Sequence, residues 1–140
     1  MRADAPATAT EPDAAHPARA LMERLAGVHG LDAAAALRGV GGQSSTLERV
    51  LTRFTELYAP REGESGFGRR SESIASLKAT CHSLRGACAA IGAVALHGSL
   101  TRFDQELSLE PDPAKHMPRT RALNDELARF VSELKNALGR

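Results

Sequence analysis

The sequence predicts an all-α fold: an antiparallel four-helix bundle with short N-terminal helices that cover one end. Four long segments carry apolar residues at alternating steps of three and four, which is the spacing of one helix face. Glycines or prolines separate these segments, and none of them alternates apolar and polar residues as a strand does. Helices with one apolar face bury that face against each other, so a bundle is the expected architecture.

Composition is that of one globular domain. The chain has 140 residues, of which 42% are hydrophobic and 25% charged, enough for a single core. Its formal net charge of +1 and its 4% of aromatic residues give no field and few stacking surfaces for nucleic acid. No apolar run has the length of a membrane span or the character of a signal peptide. We therefore expect a cytoplasmic, reducing location, with no nucleic acid and no direct membrane contact.

The N-terminal part is predicted to hold a tail and two short helices. Residues 1–18 are rich in Ala, Pro, Thr and Asp, so they are expected to be a disordered linker or tail, and the bundle domain is expected at residues 19–140. A first short helix is predicted at 19–26, ended by Gly27. A second is predicted from 31 to 37, with Asp32 as its N-cap, followed by a turn at 40–43.

The first long helix is predicted to begin at Ser45 and to end near Pro60. Ser45 and Glu48 have the spacing of a capping box, and the residue before a proline disfavours the helical conformation. Residues 61–70 contain three glycines and are expected to form a loop or a frayed helix. The expected core residues of this helix are Leu47, Val50, Leu51, Phe54, Leu57 and Tyr58.

The central helix is predicted at residues 71–92, and it carries one unusual face. Its core stripe places His82 about 135° from the stripe's centre, so the imidazole should point at solvent. Only Lys78 and Arg85 are long side chains on that face. The stripe comprises Ile74, Leu77, Cys81, Leu84, Cys88 and Ile91. The small residues expected around His82 are Ala75, Ala79, Gly86, Ala89, Ala90 and Ala93.

Gly86 and the two cations indicate which chemistry this face supports. Glycine in a helix interior costs about 1 kcal/mol relative to alanine. A longer side chain at Gly86 would lean back over the imidazole of His82, one turn earlier. Lys78 and Arg85 are the helical neighbours of His82 and bring positive charge to it. The pattern indicates a reactive or anion-holding histidine that a protein surface can approach; the alternatives are an ordinary surface histidine and a solvated flank.

Two more helices complete the predicted bundle. The apolar stripe changes phase at Gly92, which predicts that one helix ends there and another begins. Pro111 and Pro113 close the new helix, and Pro118 introduces the last one. The expected core residues of the first of these helices are Ala93, Leu96, Leu100, Phe103 and Leu107. Those of the last helix are Leu123, Leu127, Phe130, Leu134 and Leu138.

Metal and disulfide chemistry are not expected. Cys81 and Cys88 lie about 10 Å apart along one helix, too far to bridge, so they are expected to be small core residues. The other histidines have no ligand spacing; they are His16, His29, His97 and His116. A metal or haem-binding bundle stays as a further alternative.

The run HSLRGACAAIGA at residues 82–93, followed by Leu96, resembles the signature of histidine-containing phosphotransfer (HPt) domains. That signature begins with His, any residue, Leu, then Lys or Arg, then Gly. A small residue comes next, and an apolar residue, Gly and Ala follow in succession. The resemblance covers roughly residues 30–138, although the family is usually helical where this chain has the glycines of 61–70. It implies a phosphorelay intermediate, a phosphocarrier and not an enzyme, that accepts and donates a phosphoryl group on His82.

The resemblance also implies the partners and the role of each site residue. It implies that response-regulator receiver domains are the partners, and that an upstream hybrid histidine kinase or its receiver domain is another. It also implies that the chain is either free-standing or the C-terminal, cytoplasmic part of a membrane-bound sensor kinase. No cofactor is expected on this chain, because magnesium is expected on the receiver domain. Lys78 and Arg85 would stabilise the moving charge, and Gly86 would keep the approach open.

A residue on the following helix is expected to matter as well. In the family a Gln or Glu there often holds the second imidazole nitrogen, and the matching position is Asp104, twenty-two residues after His82. Asp104 either makes this hydrogen bond or is a plain surface carboxylate. The alternative function is a helical docking module that binds a receiver domain without phosphotransfer.

Overall fold

The computed structural model describes residues 17–59, 66–68 and 70–139. Within this part the chain is all-helical and has no strand, which confirms the all-α part of the predicted fold class and is compatible with a helical bundle. The helices are α1 (17–25), α2 (Ala33–Gly39), α3 (Ser44–Tyr58), α4 (Ile74–Ile91), α5 (Val94–Leu109) and α6 (Met117–Ala137), and a 3₁₀ turn at Pro113–His116 precedes α6. Residues 1–16 of the predicted linker lie outside the described residues, and residues 17 and 18 belong to α1.

Several helix ends follow local sequence signals. The Asp32 carboxylate caps α2 by accepting from the backbone N–H of Ala35 at 3.0 Å, as predicted. The hydroxyl of Ser73 accepts from the backbone N–H of Ser76 at 3.1 Å, so α4 begins at Ile74, later than predicted. Gly92 ends α4 with a φ of +74°, in the left-handed region that glycine adopts without strain. The predicted boundary between α4 and α5 is therefore confirmed.

Two predictions for α3 are wrong. The helix begins at Ser44 after Gln43, which makes no side-chain cap hydrogen bond, so Ser45 lies inside the helix and is not its N-cap. Leu57, predicted to be in the core, is 55% exposed. It lines two surface grooves whose α4 side includes the short side chains of Ala79, Ser83 and Ala87, so little side-chain volume covers it.

The core confirms most residues of the other predicted faces, although Val50, Tyr58 and Ile74 are only partly buried. α4 packs most extensively against α5, and α3 against α6. From α4 the buried residues are Leu77, Cys81, Leu84, Cys88 and Ile91. From α5 and its first turn they are Ala93, Leu96, Leu100, Phe103 and Leu107. From the last helix they are Leu123, Leu127, Phe130, Leu134 and Leu138.

The N-terminal segment covers the end of the molecule where α4 turns into α5. The backbone N–H of Asp32 donates to the carbonyl oxygen of Gly92 at 2.8 Å. A Cβ at Gly92 would lie 2.7 Å from the carbonyl oxygen of Asp32, so only glycine permits this close approach. On the same side, Nε of Arg24 donates to the carbonyl oxygen of Ala137 at 2.7 Å and joins α1 to the end of α6.

One loop residue before α4 belongs to the core, which the sequence patterns did not indicate. Phe67 is 2% exposed and meets Phe103 edge to face, with ring centroids 5.3 Å apart. The side-chain amide of Asn124 makes two hydrogen bonds to the backbone of Phe67. It accepts from the N–H and donates to the carbonyl oxygen of Phe67, both at 2.9 Å. Residues 66–68 are not helical, in agreement with the loop alternative for 61–70. Residues 61–65 and 69 lie outside the described part.

Candidate functional site

The outer face of α4 presents His82 to solvent, as predicted. Within the described part of the chain, its imidazole forms no hydrogen bond or ion pair. Five of the small residues predicted around it are also exposed: Ala75, Ala79, Gly86, Ala89 and Ala90. Ala93 is the exception and that prediction is wrong, because Ala93 follows the end of α4 and is completely buried in the turn to α5.

The space above Gly86 is open. A Cβ built there meets no heavy atom within 4 Å, setting aside the helix's own nearby backbone. Packing within this fold therefore does not require a glycine, although glycine weakens the helix by about 1 kcal/mol relative to alanine. What the missing side chain leaves free is the approach to His82 from outside the molecule.

The two cations beside His82 lean toward α5. Nζ of Lys78 donates to the hydroxyl of Ser108 at 3.1 Å. Nη1 of Arg85 lies 3.7 Å from Oδ2 of Asp104. His82 lies between these two cations along α4, so positive charge flanks it on both sides while its ring stays accessible.

Asp104 is close to Arg85, and among the described contacts it makes no hydrogen bond to His82. At 3.7 Å its ion pair with Arg85 is longer than a hydrogen bond, and the two side chains are 31% and 39% exposed. Such a pair contributes about 0.2–1 kcal/mol. Nε of Arg85 is shielded from solvent and has no hydrogen-bond partner. The expected alternatives for Asp104, an imidazole partner or an isolated carboxylate, did not include this pairing.

The cysteines lie on the opposite, buried face of α4. Both side chains are completely buried, which confirms them as core residues, and Sγ of Cys81 donates to the carbonyl oxygen of Leu100 at 3.1 Å. Burial raises the pKa of Cys81 to about 11 and that of Cys88 to about 12. Both thiols are therefore neutral and inaccessible near pH 7.

A buried histidine lies in the turn between α5 and α6. His116 is 5% exposed, and its Nε2 lies 2.9 Å from the carbonyl oxygen of Glu110. Its ring also meets Phe103 at a steep angle, with centroids 5.7 Å apart. This histidine is a packing residue, so it does not compete with His82 as a reactive site.

An apolar groove between α3 and α4 lies beside the exposed face, and the sequence patterns did not single it out. Its volume is about 440 Å³, and Arg49 and Arg53 lie along it. The signal in the sequence was the pair of alanines at 87 and 90, whose short side chains line the groove on its α4 side. The apolar lining comprises Val50, Phe54, Leu57, Tyr58, Ala87, Ala90 and Ile91.

Chemically, the site offers a nucleophilic imidazole nitrogen, two nearby cations and open access, which suits transfer of an anionic group. The described residues contain no cluster of His, Cys, Asp or Glu that could hold a metal ion. None of the helices in that part is long and apolar enough to cross a membrane. Comparison with family models, with curated proteins and with solved structures finds no match to this chain.

Proposed function

We propose that this chain is an HPt domain in which α3 to α6 form an antiparallel four-helix bundle and His82 carries a phosphoryl group between receiver-domain aspartates. The supporting observation is the exposed His82 imidazole between Lys78 and Arg85, with nothing above Gly86 to obstruct a partner. A histidine on a rigid helix supplies the positioning on which phosphoryl transfer chiefly depends.

In the accepting step, the lone pair of one His82 nitrogen attacks the phosphorus of an aspartyl phosphate. The N–P bond forms as the P–O bond to the carboxylate breaks, and the carboxylate leaves with that electron pair. Donation to the next aspartate reverses these changes. Negative charge is spread over the three oxygens of the moving group, and Lys78 and Arg85, which neighbour His82 along α4, are the cations proposed to offset it. The magnesium ion that receiver domains use is expected on the partner.

The surroundings of His82 support a folded protein partner. Small side chains let a second surface approach the imidazole, and the α3–α4 groove offers apolar area elsewhere on the surface of α4. The proposed partners are receiver domains, one of them upstream in or beside a hybrid histidine kinase, in the cytoplasm. The groove alone favours the second candidate, a docking module that binds a receiver domain without transfer.

Incubation with receiver domains phosphorylated by acetyl phosphate tests the proposal. We expect acid-labile phosphate on His82, located by mass spectrometry, and its complete loss in His82→Gln with an unchanged circular dichroism spectrum. His29→Gln is the matched control, because His29 is also exposed and only its backbone N–H is bonded, to Glu133. Failure with every receiver domain tried would contradict the proposal. Equal receiver binding by wild type and His82→Gln, without transfer, would favour the docking module.

A further inference from the structure

The two cations beside His82 have chemically different partners on α5. Lys78 is bonded to a neutral hydroxyl, that of Ser108, at 3.1 Å. Arg85 instead faces a carboxylate, that of Asp104, at 3.7 Å. An anion that arrives at His82 therefore draws Lys78 away from a neutral group but must compete with a fixed negative charge for Arg85.

The resting contacts of Arg85 are incomplete. A guanidinium has five N–H donors in a planar fork, and the described structure gives Arg85 one long ion pair and a shielded Nε without a partner. Asp104 thus lies close to the Arg85 guanidinium without satisfying its N–H donors. Arg85 is three residues after His82 on the same helix, a spacing at which the two side chains can meet.

We propose that Asp104 is a positioning residue that competes with a phosphoryl group on His82 for the Arg85 guanidinium. This inference rests on the proposed function of His82. Before phosphorylation, Asp104 holds Arg85 beside the imidazole. After phosphorylation, the phosphoryl oxygens accept stronger, charge-assisted hydrogen bonds from Arg85. The Asp104 carboxylate weakens the interaction between Arg85 and the phosphoryl group by competing for the same N–H donors. The domain consequently binds the phosphoryl group less tightly, and the group can still be transferred.

Chemical phosphorylation with phosphoramidate tests this competition without any receiver domain. The lone pair of an imidazole nitrogen forms the N–P bond while the P–N bond of the reagent, protonated as P–NH₃⁺, breaks. Ammonia leaves with that electron pair, and the other ring N–H proton passes to solvent. After the reagent is removed, water attacks phosphorus, the imidazole recovers the electron pair of the N–P bond, and phosphate departs. The measured quantity is the half-life of phosphate on His82, followed by peptide mass spectrometry and ³¹P NMR.

We expect Asp104→Asn to lengthen this half-life about two- to fivefold, the range of a partly exposed ion pair. Arg85→Gln should shorten it, and Asp104→Asn should have no effect in the Arg85→Gln background. Asp104→Glu should restore the wild-type half-life. Asp125→Asn, which removes an exposed carboxylate on α6, is the matched control and should change nothing.

Several outcomes would overturn the inference. An equal effect of Asp104→Asn with and without Arg85 would show that the carboxylate acts directly on the imidazole or on the phosphate. An unchanged half-life, or no label on His82, would overturn it as well. Because phosphoramidate replaces the receiver domain, absence of receiver transfer together with the expected half-lives would contradict the proposed function and leave the competition in place.

Discussion

The two faces of α4 place nucleophilic residues in opposite environments. On the inner face, Cys81 and Cys88 are completely buried, and burial raises the pKa of each thiol to about 11 and 12. On the outer face, His82 is exposed among small residues. Cysteine is intrinsically very nucleophilic as a thiolate, yet here its thiols are neutral and inaccessible. Access and solvation, more than residue type, decide which side chain of this helix can react.

The outer face is itself divided into two sides. Toward α5, Lys78 and Arg85 are tied to polar groups, whereas toward α3 the surface is small and apolar, with Leu57 exposed. The polar side can act on charge at the imidazole, and the apolar side can act on contact with a partner. We therefore expect three kinds of substitution to change three different quantities. Closing the outer face should change the transfer rate, altering its apolar side should change partner binding, and altering the inner face should change the pH dependence of stability.

Closing the outer face should have the largest effect. We expect Gly86→Gln to slow phosphotransfer roughly a hundredfold, because the new side chain obstructs approach to His82 and small misplacements cost that much. The unfolding temperature should not fall, since a Cβ at Gly86 meets nothing within 4 Å and glycine is the poorer helix former. Single-turnover transfer from a phosphorylated receiver domain, beside thermal unfolding, measures both quantities.

Gly98→Gln provides the control for that substitution. Gly98 lies inside α5, and a Cβ there would make only an ordinary contact, 3.7 Å from Nη1 of Arg102. It should gain similar helix stability while transfer stays at the wild-type rate. Equal transfer rates for Gly86→Gln and wild type would remove the reason given for this glycine.

The apolar side of the outer face should contribute to partner binding more than to chemistry. We expect Leu57→Glu to weaken receiver binding about tenfold, with the rate at saturating receiver unchanged, because it places a charge in the α3–α4 groove. Titration of the transfer rate with receiver concentration separates these effects. Val94→Glu is the matched control, since Val94 is also 55% exposed but lies outside the groove. Equal weakening by both variants would refute a docking role for the groove.

The inner face should produce the smallest effect, seen only at high pH. The folded pKa values of Cys81 and Cys88 exceed the ordinary thiol value of 9.0, so the folded state keeps its thiol protons when the unfolded chain loses them. The stabilisation is complete below pH 9 and falls as pH rises toward 11 and 12. Between pH 8 and 10 we expect a loss of about 1 kcal/mol per thiol.

Urea unfolding of wild type and of the Cys81→Ala/Cys88→Ala variant at the two pH values measures this loss. The variant should lose less stability over the interval, although its stability at pH 8 is lower because it lacks two buried sulfur atoms. Parallel decreases in the two proteins would show that other groups, among them Tyr58, whose pKa burial also raises, account for the pH dependence.

Local sequence signals were enough to predict the helical class and most of the core. Leu77, Leu84 and Ile91 are buried because helical periodicity depends only on spacing along one segment. The exposure of His82 follows from the same geometry. Gly92 could also be identified, since a phase change in the apolar stripe needs a helix end.

What the patterns missed depends on contacts between segments. The pairing of Arg85 with Asp104 is set by the offset of α5 against α4, which the periodicity of either helix alone does not contain. Leu57 is exposed because most of the side chains beside it on α4 are short. Phe67 is in the core because Asn124, which lies fifty-seven residues later, holds its backbone. Long-range partners of this kind have no signature in a local window.

The turn at Gly92 also determines what the cations on α4 can meet. Its close contact and hydrogen bond with Asp32 hold the path by which the chain passes from α4 into α5. One additional residue within the first turn of α5 would rotate the rest of that helix by about 100° and carry the carboxylate and hydroxyl that face the cations to another side. The electrostatic setting of the exposed imidazole thus depends on a backbone junction at the far end of the helix pair.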